Sequence, residues 1–122
     1  MILHHQIIRN LIKWPTSIIY FVELDSIAIG FAICFYGFST FKNRKLLNIH
    51  DFYINRKYQN MVLVQHLCNI IEVQAQNNGC CKLTLEVYSH NAQAIKVYEK
   101  IGFQGSNNKD GDEVIYALFK VL

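Results

Sequence analysis

The chain of 122 residues carries a net charge of +3, is 52% apolar and 17% charged, and contains one Pro and six Gly. That balance excludes a disordered chain and fits one globular domain able to bury a sizeable core. The basic residues are spread thinly, which argues against a nucleic-acid or membrane surface; the densest group, Lys42, Arg44 and Lys45, reads as a solvated turn between strands.

In chain order, Leu3, Ile7, Ile8, Leu11 and Ile12 recur at helical spacing, so the spacing predicts a helix over Met1 to Lys13, ended by Trp14-Pro15. Ile18 to Leu24 and Ile27 to Phe35 are β-branched and aromatic runs separated only by Asp25-Ser26, a hairpin spacing. A loop, YGFSTFKNRK, leads to a third strand over Leu46 to Ile54. Leu63, Leu67, Ile70 and Ile71 then mark one face of a helix over Met61 to Gln76, which Gly79 closes. Lys82 to Tyr88 alternates as a strand. Asn91 stands where it can cap a helix over Ala92 to Ile101, with Gly102 as its stop. Phe103-Gln104 and a strand over Glu113 to Val121 flank the turn-rich GSNNKDGD. The strand, helix, strand order at the centre implies a parallel, right-handed crossover in a mixed α/β (α+β) fold.

Cys34, Cys68, Cys80 and Cys81 have no C-x-x-C spacing, so neither a disulfide framework nor a zinc site follows. His4-His5 sits at a terminus without further ligands at metal spacing, and no metal is expected. The first residues lack the basic-then-apolar order of a signal peptide, and no apolar run approaches the ~20 residues of a membrane span. A cytoplasmic protein with reduced thiols is expected.

The motif NIHDFYI (Asn48 to Ile54) precedes a basic-aromatic loop and a long helix; then come GCCKLTLEV (Gly79 to Val87) and N-A-x-A-x-x-x-Y-x-x-x-G-F (Asn91 to Phe103). In this order they resemble the GNAT superfamily of N-acetyltransferases, and GFSTF (Gly37 to Phe41) is similar to a small-substrate branch of it. The likeness covers about Ile18 to Leu122. It implies a mixed sheet of about six strands flanked by helices. The strand and helix that usually open the family's fold have no counterpart in the sequence, which suggests a bare sheet edge. A homodimer through that edge or through the C-terminal strand is one expectation, and a start placed too late in the reading frame is another.

The resemblance also implies acetyl-CoA, held in a V between two strands with its pantetheine arm along the backbone of Phe52, Tyr53 and Ile54. Its pyrophosphate would lie on the next helix N-terminus, in a loop patterned Q/R-x-x-G-x-G/A. Gln59-Asn60-Met61-Val62-Leu63-Val64 occupies that place, with Val62 and Val64 where small residues are usual and Asn60 at a common glycine, tolerant of positive φ. The two valines are expected to narrow the anion site, leaving either a weaker acyl-CoA site or a plain helix start. Tyr98 matches the family's tyrosine acid, and Asn91 the cap residue that can also reach the cofactor. His50 and Asp51 are the candidate bases; strand alternation would put them on opposite faces, so that only one meets the substrate. Phe38, Ser39, Thr40 and Glu86 are candidates for the acceptor side. The expected activity is direct acetyl transfer to a primary amine of a small molecule; the alternative is an inactive GNAT fold that binds a ligand or partner.

Overall fold

A computed structural model describes residues 5–105 and 115–122. The elements are α1 (His5–Lys13), β1 (Ser17–Leu24), β2 (Ile27–Ser39), β3 (Arg44–Ile54), α2 (Met61–Asn77), β4 (Lys82–Tyr88), α3 (Ala92–Ile101), β5 (Gln104–Gly105) and β6 (Ile115–Val121), with a 3-10 turn at Arg56–Tyr58. The six strands form one sheet in the order β1-β2-β3-β4-β6-β5. Among the described strands only β3 and β4 run parallel as neighbours; every other pairing is antiparallel.

Two crossovers follow one another, β3–α2–β4 and β4–α3–β5, and both step across the sheet in the same direction. Right-handed connections then place α2 and α3 on one face. The core agrees: Leu67, Cys68 and Ile71 of α2 and Ile101 of α3 pack with Ala32, Cys34, Leu47, Ile49, Leu83 and Leu85 of the sheet. Against the other face lies α1, whose Leu11, with Trp14 just past the helix end, lines a shallow depression with Phe35. No helix among the described residues is long and apolar enough to cross a membrane.

Local chemistry sets the helix ends. Asn60 Oδ1 accepts from the Leu63 N–H at 2.8 Å, and Asn91 Oδ1 accepts from the Ala94 N–H at 3.2 Å, so each asparagine caps a first turn. Gly102 ends α3 at φ 108, a left-handed conformation that a side chain would strain. Lys120 of β6 reaches across to Glu72 of α2 at 2.8 Å, pinning that helix to the strand beyond β4.

Three expectations change, and two others reach past the described residues. β2 runs on to Ser39 and β3 begins at Arg44, so Gly37 to Ser39 form strand and the turn is only Thr40 to Asn43. The expected loop fails because Gly37 pairs with Leu46, and a glycine or serine inside a ladder loses only side-chain packing. Of the first helix, His5 to Lys13 is described and Met1 to His4 lie outside the described residues; Glu113 and Val114 of the last strand lie outside them too. Asn60 has φ −154, extended backbone, so its value is as a cap and not as a residue tolerating positive φ.

The third change concerns the pairing of β2 with β3. Ile33 pairs with Asp51 but Cys34 with Ile49, leaving His50 as one extra residue. This β-bulge breaks the two-residue alternation of β3. Leu47 and Ile49 face the α2–α3 side before it, and Phe52, on the partner position to Ala32, faces that side after it. Asp51 shares the face of Ile33, and the His50 ring packs edge-on against Phe35, two residues along β2 on that same face (5.4 Å, 72°). His50 and Asp51 therefore both turn toward the side away from α2, not to opposite sides as alternation predicts.

Candidate functional site

β3 and β4 are bonded only where Leu47, Asn48 and Ile49 meet Leu83, Thr84 and Leu85. Beyond that point the strands part, and among the described residues no strand lies beside the backbone of His50 to Ile54 on the β4 side. The physical cause lies on both sides of the gap. On one side the bulge at His50 bends β3. On the other, Tyr98 of α3 packs edge-on against Phe52 (6.3 Å, 87°) and Phe103 (5.8 Å, 68°), an aromatic wedge at the foot of the opening.

Burial, with a smaller push from the nearby Cys68 thiol, raises the Tyr98 phenol to about 12. It is therefore fully protonated at neutral pH, a donor and not a base. Cys34 and Cys68, packed in the same core, are likewise pushed up to about 12 by burial.

On the opposite face, the fork between the strands is lined by polar groups. The Asn48 side-chain amide donates to Thr84 Oγ1 at 2.9 Å and to the Glu86 carboxylate at 3.3 Å. Glu86 is thereby held beside the place where β3 and β4 part, on the same side as Asp51 and His50. Sequence reasoning singled out Glu86 but missed Asn48 and Thr84. The signal was the parity of two strands, and it needed their relative register.

At the end of β3 the chain turns into α2. Asn55 Oδ1 accepts from the Lys57 N–H at 3.0 Å and starts the 3-10 turn. Gln59 Nε2 donates to the Ile54 carbonyl at 3.0 Å, tying the loop to the strand end. With the Leu63 N–H taken by the Asn60 side chain and the Val64 N–H by the Asn60 carbonyl, the first-turn donors Met61 and Val62 remain without an intrahelical acceptor. No acidic residue lies in this first turn, and Arg56 and Lys57 are exposed just before it. A helix N-terminus so flanked suits an anion.

Val62 and Val64 behave differently from one another. Val62 is 78% exposed and lines an open cavity of about 540 Å³ with Val22, Glu23, Leu24 and Lys57, on the β1–β2 side of the helix. Val64 turns to the core. Asn91 is at the start of α3, its side chain occupied by the cap.

Phe38, Ser39 and Thr40 are not brought to this place. Phe38 pairs with Lys45 and Ser39 with Arg44, at the far end of the β2–β3 ladder from Phe52; six residues of strand make that about 20 Å. Ser39 is buried, and its hydroxyl accepts from the Lys42 N–H at 3.2 Å, which forms the turn. The physical reason is the one that lengthened β2: these residues end a strand that runs away from the fork. Among the described residues no group of three or more metal-ligating side chains comes together.

This architecture has close counterparts of known structure. A GNAT family acetyltransferase from Elizabethkingia anophelis with acetyl-CoA bound superposes with TM-score 0.73 at 16% identity, covering 98% of this chain and 84% of that one. PaiA N-acetyltransferase from Thermoplasma acidophilum in complex with coenzyme A gives 0.75 at 19%, over 96% and 67% of the two chains. Naa50 from Arabidopsis thaliana in complex with the bisubstrate analogue CoA-Ac-MVNAL gives 0.70 at 18%, over 85% and 72%. No curated protein matches the chain. At such identities the superpositions establish the fold, and the sequence itself establishes the family: residues 3–103 match the model of the acetyltransferase (GNAT) family, and the chain belongs to that family.

Proposed function

We propose that the protein transfers an acetyl group from acetyl-CoA to a primary amine of a small molecule. The observation that carries this reading is the fork between β3 and β4, with unpaired strand backbone on one side and a protonated tyrosine at its foot. The pantetheine arm would lie along Phe52, Tyr53 and Ile54 as an added strand, and the pyrophosphate would accept from the Met61 and Val62 N–H groups with Arg56 and Lys57 beside it. The inward turn of Val64 supports the reading, since it takes that side chain to the core and away from solvent at the helix start.

The amine enters from the face opposite α2 and α3, where Glu86 orients it and either Asp51 or His50 takes its proton. The nitrogen lone pair attacks the thioester carbonyl carbon, and the tetrahedral oxyanion collapses as the C–S bond breaks. The electron pair leaves on sulfur, where the Tyr98 hydroxyl donates to the thiolate. Asn91 keeps the first turn of α3, and so Tyr98, in register. Four free, buried cysteines support a reducing compartment.

One observation favours a second reading, a fold that binds without catalysis. The Gln59 side chain and the Leu63 N–H, both available to an anion in other circumstances, are spent on internal bonds. Calorimetric titration of acetyl-CoA separates the two. Met61→Pro sharpens it: Pro is accepted at the first helical position, and Asn60 before it already has φ −154 and ψ 159, the extended backbone that Pro requires. The substitution removes one N–H donor, and acetyl-CoA is expected to bind about tenfold or more weakly. Absence of binding to the unaltered protein, or an unchanged affinity in Met61→Pro, would leave the second reading standing.

A further inference from the structure

Among the described residues β1 ends the sheet, hydrogen-bonded to β2 and to no other strand. Around it gather exposed apolar side chains that no element of the described residues covers: Ile12 and Trp14 before the strand, Phe21 in it, and Leu24 and Ile27 at the turn after it, the last 67% exposed. Charge divides along the same edge. Arg9 and Lys13 lie exposed on α1 at its beginning, and Glu23 and Asp25 lie exposed at its end. A terminal strand of this kind is a template for another strand. An antiparallel partner with the reverse order of charge fits it, and a second copy of this chain turned by a twofold axis has that order.

We infer that two copies pair through β1 in one antiparallel register, joining two six-stranded sheets into a continuous one. Paired residues in an antiparallel ladder share a face, and a twofold axis perpendicular to the sheet keeps each face on its own side. Only registers whose paired residue numbers have an even sum meet this condition. Centring on Ile19 would bring Pro15, which has no N–H, opposite Glu23 and into the ladder. Centring on Phe21 would set the Glu23 carboxylate opposite Ile19. Centring on Tyr20 sets Ile18 against Val22, Ile19 against Phe21 and Ser17 against Glu23, and it leaves Pro15 beyond the ladder beside Asp25. In that register Trp14 and Ile12 of each copy come to the Leu24–Ile27 turn of the other, and Lys13 comes to its Asp25.

The same register gives the second copy a part in the cavity beside α2. That cavity is walled on one side by Val22, Glu23 and Leu24. Thr16 of the partner falls opposite Leu24, so the start of the partner's β1 comes to the open flank of the cavity. The pairing is independent of whether the fork binds acetyl-CoA.

Sedimentation equilibrium of the full chain tests this, with circular dichroism to follow folding. The unaltered protein is expected to be a dimer at micromolar concentration. Phe21→Arg, at a half-exposed position, is expected to give a folded monomer. Asp25→Lys and Lys13→Glu should each weaken the dimer by roughly tenfold, and the double exchange should restore it. A monomeric unaltered chain overturns the inference, as does a dimer that persists in Phe21→Arg. Should Phe21→Arg fail to fold, the exchange pair decides alone: single reversals without effect, or a double exchange without rescue, also overturn it.

Discussion

Tyr98→Phe removes one oxygen and leaves the aromatic wedge. Among the described residues the Tyr98 hydroxyl has no hydrogen-bond partner, and its ring contacts with Phe52 and Phe103 survive the change, so stability should move by no more than ~0.5 kcal/mol. Its catalytic worth follows from two acidities. The phenol is raised to about 12 by burial, whereas an ordinary thiol sits near ~8.5. Complete proton transfer to the departing thiolate would then run uphill by roughly 3.5 pH units, about 5 kcal/mol, before any rise in thiolate basicity inside the cleft. The hydroxyl is better matched to holding the thiolate by a charge-assisted hydrogen bond worth about 1.5–3 kcal/mol. Loss of that bond predicts a turnover about 10- to 150-fold slower, with acetyl-CoA affinity unchanged. The assay is thiol release from acetyl-CoA across a panel of primary amines, first with the unaltered protein and then with the variant on its best acceptor, alongside calorimetry for acetyl-CoA. Equal turnover in Tyr98→Phe would refute the reasoning, and a loss confined to acetyl-CoA affinity would move Tyr98 from the chemistry to binding.

Other consequences of the structure are as open to measurement. A Cβ on Gly30 would lie 2.7 Å from the Tyr53 carbonyl oxygen, so Gly30→Ala must push β3 toward the fork; about 1–3 kcal/mol of stability and weaker acetyl-CoA binding should be lost together, by denaturant melts and calorimetry. Asn91→Ala removes the α3 cap and should cost about 1 kcal/mol, read from the same melts; no loss would mean that water replaces the side chain fully. Alkaline pH has a definite sign. Cys34 and Cys68 keep their protons to about 12 in the folded chain but lose them near 9 when it unfolds, so stability is fully present below pH 9 and falls as pH rises from there toward 12. Each thiol should contribute about 1.4 kcal/mol per pH unit across that window; a denaturation midpoint flat from pH 8 to 10.5 would contradict their burial.

How much of this was legible beforehand depended on whether the governing interaction was local. The Asn91 cap, the Gly102 stop, the long helix from Met61 and the alternation of Lys82 to Tyr88 are written within a few residues each, and all appear as expected. The end of β2 was hidden because Gly37 and Ser39 look like turn residues until Leu46 and Arg44 are seen opposite them. The valines show a finer limit. A linear motif treats Val62 and Val64 alike, but two residues apart on a helix means about 200° of rotation, so one faces out and the other in. Asn48 and Thr84 escaped notice because nothing in either strand alone reveals that they are neighbours. The place of His50 and Asp51 likewise depended on the pairing with β2, which no count along β3 contains.

The extra residue at His50 makes the bulge the one place where β3 can lose a residue without re-aiming its side chains. Removing His50 would leave Ile49 opposite Cys34 and Asp51 opposite Ile33, restore simple alternation, and keep Phe52 against Tyr98. What would go is the local bend and one side chain from the face that carries Asp51. A one-residue step elsewhere between Leu47 and Ile54 would turn the residues beyond it to the opposite face or demand a bulge of its own. Among descendants of this sequence, single-residue losses in β3 should thus collect at His50 and Asp51, and other length variation in the Asn55–Asn60 loop.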